Sequence, residues 1–159
     1  MKIIKYFFEF IFIYTLFIIF KIIGYRNASN LGEKIVVFFG PFFRSKIKIM
    51  KNLKDSNIGV DDFERKKIIR NMWGNYGRIL AEYPFLEKFK KNIFKKYIEI
   101  EGVEYLEKIK QNNKKVVFIS GHFNNFELMA MQLENFGLNV AAIYRPLNNI
   151  FLNGIMEKI

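Results

Sequence analysis

The chain contains no cysteine. Disulfides, a thiol nucleophile and thiolate metal sites are thereby excluded, although the compartment is not decided by this alone. Histidine occurs once, as His122, which is too few imidazoles for a usual protein-only zinc or iron site. Acidic residues are scarce, 15 Asp and Glu against 26 Lys and Arg, for a net charge of +11. That balance favours anionic partners: nucleic acid, phospholipid headgroups or an acidic protein. The signature of a disordered basic tail is also missing, since 51% of residues are hydrophobic and 18% aromatic. A length of 159 residues suits one domain with a real core, not two.

What is present begins with an apolar stretch, IIKYFFEFIFIYTLFIIFKII, at residues 3–23. Its unbroken section, residues 10–20, is shorter than the roughly 20 residues of a comfortable span. Lys5, Glu9 and Lys21 flank it and can snorkel. The segment after it, KIIGYR, is bulky and basic, with no small-residue site for removal as a signal peptide. We therefore expect a retained membrane-anchor helix over residues 1–25, spanning or interfacial. Positive charge on both sides does not set its orientation.

Residues 26–159 read as a second part, helical at first. Residues 31–54 alternate apolar groups with Arg44, Lys46, Lys48, Lys51 and Lys54, and Pro41 interrupts the pattern. They predict two short helices on a surface, with either a solvated basic face or contact with anionic lipid. A clear helix is predicted over residues 61–83, opened by Asp61 with Glu64 and stopped by Pro84. Its stripe of Ile69, Met72, Trp73, Tyr76, Ile79, Leu80 and Tyr83 has core spacing. Residues 86–97 predict a further helix with Phe89, Ile93 and Phe94 on one face among five lysines.

From Tyr97 the period changes. Residues 98–100, 116–120 and 139–144 read as strands, each followed by a helical pattern: one marked by Val103, Leu106 and Ile109 that ends near Asn112-Asn113, one over 125–136, and one from Pro146 onward. Gly137 would close the second of these helices in the left-handed conformation. The expected class is α/β: an anchor helix and helical segment, then a parallel sheet covered by helices. The last pattern reaches Ile159 without a cap, and three strands are few, so the chain is expected to be a truncated, N-terminal portion of its fold.

The chain is organised around VVFISGHFNNFE, residues 116–127. His122 follows the expected strand and precedes a helix whose positive end disfavours imidazolium, which keeps the ring able to accept a proton. Glu127, in the first helical turn, can hold and stabilise that imidazole. Backbone N–H groups around Phe123 to Asn125 can face a developing oxyanion. The plainer alternatives are a capping box formed by Asn124 with Glu127, and a hydrogen-bonded loop histidine. Arg145, at the end of the third expected strand, is either a surface charge or a phosphate fork.

The string from Gly121 to Glu127, GHFNNFE, resembles the H-x4-E/D block of the lipid A biosynthesis lauroyl/myristoyl acyltransferase family, where GHFGNWE-like strings are common. YRPLNN, residues 144–149, resembles the same family's YRPxxN string at the expected distance. Asn75-Tyr76-Gly77-Arg78 with Ala81-Glu82, the Glu101-Gly102 turn, the N-terminal apolar segment and the basic region after Leu31-Gly32 fit as well. Asn124 and Phe126 depart from the commoner Gly and Trp, Ile150 departs after the second block, and family members continue well beyond this length.

The resemblance implies an enzyme of the cell inner membrane with its acyltransferase domain, residues 26–159, on the cytoplasmic side. Such an enzyme moves a fatty acyl chain from acyl carrier protein to a hydroxyl of a lipid A precursor. It implies His122 as general base, Glu127 as its partner, and Arg145, Asn125 and Asn148 as substrate-binding residues, with no metal or organic cofactor. A basic surface suits an acidic carrier protein and an anionic glycolipid, and an anchor suits a lipid substrate. Within the wider superfamily the acceptor can be another glycolipid or a lysophospholipid. The competing class is an inactive, membrane-bound remnant or interaction module. Nucleic acid is not an expected partner, because the lysines follow apolar helix faces and no nucleic-acid module is visible.

Overall fold

The computed structural model describes residues 2–56, 59–143 and 145–157. The chain divides into two compact units, one built from Met1–Phe12 with Phe85–Ile159, the other from Ile13–Pro84. The division falls within α1 (Lys2–Ile23). Among the described residues, this is the one helix long and apolar enough to cross a membrane, with a mean hydropathy of 2.0 over its most apolar window.

The unit of residues 13–84 is helical throughout its regular structure. Gly24, at φ +80°, ends α1, and α2 (Tyr25–Phe39) starts directly after it. The Asn27 amide donates to the Ile23 carbonyl oxygen at 3.0 Å, so one open carbonyl of α1 finds a partner. Pro41 lies in a 3-10 turn, Gly40–Phe42, between α2 and α3 (Lys46–Asp55), where the break was expected. In α4 (Asp62–Glu82) the N-cap is Asp61, whose carboxylate accepts from the Glu64 N–H at 2.8 Å. The helix passes into a 3-10 turn, Tyr83–Phe85, that contains Pro84.

The pairing of α2 with α4 is made by small residues, not by the large stripe of α4. Ala28 and Gly32 are buried on α2, and Gly74, Gly77 and Ala81 on α4. Ile69, Met72, Trp73, Ile79, Leu80 and Tyr83 are only half-buried, and Tyr76 is exposed. A methyl built on Gly32 would stand 2.3 Å from the Gly77 carbonyl oxygen, so the two backbones approach as closely as in small-residue crossings of membrane helices. An ion pair in which Arg78 donates to Glu33 brackets the crossing. The Tyr25 hydroxyl donates to the Glu82 carboxylate at 3.4 Å.

In the other unit, α5 (Leu86–Lys90) packs on α7 (Glu127–Asn135), with Phe85, Leu86, Phe89, Met131 and Leu133 buried. The helix expected over residues 86–97 stops at Lys90, because Asn92 takes a left-handed φ of +58°. The chain then turns back, so that Phe94 meets Phe89 edge-on at 5.2 Å while Ile93 stays exposed. Gly102, at φ +78°, leads into α6 (Val103–Gln111). Gly137, at φ +88°, closes α7: its N–H and that of Leu138 donate to the Glu134 and Leu133 carbonyls at 2.8 and 3.1 Å. In α8 (Ile150–Met156) the N-cap is Asn149.

The expected parallel sheet is not formed: among the described residues there is no strand. Residues 98–100, 116–120 and 139–143 are non-helical and unladdered, and Tyr144 lies outside the described residues. A periodic apolar run records only that a segment tolerates extension. A parallel strand also needs neighbours on its edges and helices on both faces. These runs lack that cover, with Val117, Ile119 and Ile143 at 87%, 93% and 106% exposure. The class is therefore all-helical with extended connections, and no strand end positions His122 or Arg145.

Candidate active site

His122 sits on the connection that leads into α7, exposed to solvent. The connection is shaped by its own backbone. The Phe123 N–H donates to the Gly121 carbonyl at 2.8 Å, closing a tight turn with His122 at its centre. Asn124 then takes φ +48°, and the Phe126 N–H donates to its carbonyl at 3.1 Å. The left-handed region is open to glycine and, among side-chain-bearing residues, most readily to Asn, Asp and His. Asn124 is therefore among the residue types that take this conformation at least cost.

This geometry replaces the capping box. The N-cap of α7 is Phe126, and no side chain caps that end. Glu127 is the first residue of α7 and half-buried, and Asn125 is half-buried beside it. A carboxylate in a first helical turn is favoured by the unpaired N–H groups there. The imidazole packs on the Phe126 ring, with centroids 4.3 Å apart and planes tilted by 60°. Among the described residues, no hydrogen bond or ion pair ties His122 to Glu127, Arg145 or Asn148.

Arg145 and Asn148 are exposed on the connection into α8, and Tyr144 of the same string lies outside the described residues. Asn149, one residue on, is buried at 7% exposure. Its side-chain oxygen accepts from the Phe151 and Leu152 N–H groups at 3.1 and 3.3 Å. Its amide donates to the Tyr6 carbonyl at 2.9 Å and to Glu9 at 3.2 Å. Phe151 adds ring contacts to Phe7 and Phe10, both at 5.9 Å. The signal for Asn149 was available, since Asn directly before an apolar helical run is a preferred N-cap.

Next to the His122 connection lies an apolar cleft of about 520 Å³. Leu128 and Met129 of α7, Leu106 of α6, Phe118 and residues 97–102 line it. One wall therefore begins at the residue after Glu127. Among the described residues, no group of three His, Asp or Glu is placed to hold a metal ion.

Over residues 1–158 the chain matches the profile of a family described as bacterial lipid A biosynthesis acyltransferase. Lipid A biosynthesis acyltransferase 2 of Shigella flexneri is 30% identical over 103 residues, 62% of this chain and 31% of that protein. Lipid A biosynthesis palmitoleoyltransferase of Escherichia coli strain K12 is 26% identical over 137 residues, 84% of this chain and 44% of that protein. The chain thus spans less than half the length of these curated relatives. No solved structure matches it.

Proposed function

Because the chain belongs to the bacterial lipid A biosynthesis acyltransferase family, we propose that it carries the acyl-transfer site of a membrane enzyme that acylates a lipid A precursor. The observation that supports this best is the apolar cleft whose wall starts beside Glu127, the residue that closes the His122 string. A fatty acyl chain has the chemistry to fill such a cleft, and its thioester carbon would then lie toward the connection that carries His122. The donor on this reading is acyl carrier protein, an acidic partner for a chain of net charge +11.

His122 acts as general base. It takes the proton of the acceptor hydroxyl as that oxygen attacks the thioester carbonyl, and returns it to the departing carrier thiolate. Glu127 stabilises the imidazolium in between. This pairing requires the exposed imidazole to rotate off Phe126. Backbone N–H groups near Asn125 face the oxyanion. Arg145, with Asn148 beside it, binds a phosphate of the anionic glycolipid. The chemistry needs no metal or organic cofactor. On this reading α1 anchors the enzyme in the cell inner membrane, and the site works on the cytoplasmic face.

The test is transfer from acyl carrier protein to a lipid A precursor by the chain in vesicles. His122→Ala should lower the rate by roughly 10²–10⁴-fold, the usual contribution of a positioned base. Equal rates for the two proteins would sink the assignment. A second reading, a membrane-bound interaction module, draws on the imidazole lying against Phe126 and not against a carboxylate. It expects no transfer above background from the unaltered chain.

A further inference from the structure

We propose that residues 38–48 form a second membrane contact, separate from α1, in which phenylalanines enter the headgroup–acyl boundary and the following cations hold lipid phosphates. It draws on the membrane-enzyme reading only in expecting a bilayer at hand.

The contact is built from the turn outward. Gly40 is buried against Trp73 of α4: a methyl on it would lie 2.4 Å from the indole Cε3. The Phe43 N–H donates back to the Gly40 carbonyl at 2.9 Å. The chain is thus pinned to α4 at Gly40, and the phenylalanines on either side have no interior to enter. Phe42 and Phe43 are 80% and 83% exposed, and Ile47 81%. Phe38 and Phe39 are exposed too, and meet each other edge-on at 4.9 Å. Aromatic groups left out in a cluster mark a surface that binds something.

Charge identifies the occupant. Between Glu33 and Asp55 there is no acidic residue, while Arg44, Lys46, Lys48, Lys51 and Lys54 all face solvent. Behind Phe38, a hollow of about 550 Å³ brings Lys34 and Arg70 into one lining with Glu33 and Val37. Aromatic groups on a tight turn followed by a cationic helix match an anionic bilayer at two depths, acyl boundary and phosphate. A protein partner would have to supply a pocket for each protruding ring, whereas lipid needs none.

The absence of cysteine permits a direct test. Phe43→Cys and Ile47→Cys chains, each carrying one environment-sensitive fluorophore, are reconstituted in vesicles with or without phosphatidylglycerol. Asn112→Cys, exposed after α6, serves as the reference. Depth is read from quenching by spin-labelled lipid and by aqueous iodide. The expected result places the labels at 43 and 47 about 5–10 Å into the headgroup–acyl boundary and leaves the reference in water. Omitting the anionic lipid, or adding Lys46→Glu with Lys48→Glu, should move both labels outward. Iodide access equal to that at 112 would overturn the proposal, as would failure of the chain to associate with vesicles. Protection conferred only by added acyl carrier protein would overturn it too, and make the patch that protein's dock. None of these readings depends on turnover, so loss of the proposed catalysis at His122 leaves them separately decided.

Discussion

Replacing Gly77 by alanine adds one methyl where α2 and α4 come closest. The new carbon would stand 2.1 Å from the Gly32 carbonyl oxygen and 2.9 Å from the Glu33 Cα. Both fall well inside the ~3.5 Å at which nonbonded atoms rest. Each of these neighbours is backbone, so no side chain can rotate away and the helices must part. Overpacking of this kind costs about 1–3 kcal/mol, and the upper end applies where backbone must move. Alanine also returns about 1 kcal/mol through its better helix propensity. The net loss is then about 2 kcal/mol, or roughly 4–8 °C in melting temperature for a chain of this size. Gly154 provides the opposite case: it is within α8, and a methyl there meets nothing within 4 Å. Gly154→Ala should therefore raise the midpoint by roughly 2–4 °C through propensity alone. Circular dichroism melts of the three chains in one detergent decide it. If Gly77→Ala melts as high as Gly154→Ala, the close crossing of α2 and α4 is refuted.

Asp61→Ala removes the cap of α4 and should cost about 1 kcal/mol, seen as faster hydrogen exchange at the Glu64 amide. Asn149→Ala removes the α8 cap and leaves the Tyr6 carbonyl without this donor. A loss of about 1–3 kcal/mol is expected in urea titrations. Asn124→Gly should keep both stability and acyl transfer, whereas Asn124→Ile should cost about 1–2 kcal/mol for a branched residue at positive φ and lower transfer with it. Equal melts for Gly and Ile at 124 would contradict the left-handed connection before α7.

Local signals in the sequence carried well into the structure. Asp61 with Glu64, Pro41 and Gly137 each act within a few residues, and each marks an observed helix boundary. The α2–α4 crossing escaped because periodicity counts large apolar residues, while Ala28, Gly32, Gly77 and Ala81 bury by being small. The pattern that held it, pairs of small residues four apart on each helix, is present in the sequence. The sheet was expected from runs such as residues 116–120, but pairing is a relation between distant segments that no single run contains. At the candidate site, the nearness of His122 and Glu127 along the chain was visible. The left-handed Asn124 that rules out the capping box was not.

The bond from Asn149 to the Tyr6 carbonyl joins residues 143 positions apart. It imposes an order on synthesis. Tyr6 and Glu9 leave the ribosome long before Asn149 exists, whereas only residues 40–61 separate α2 from α4. Along the sequence, residues 13–84 fall between the two pieces of the other unit, and closure over Tyr6 and Glu9 must wait for Asn149. Trimming residues 1–12 would remove more than the first half of an apolar helix. It would remove the surface on which the second motif block is fastened, and Phe151 would lose both of its ring partners.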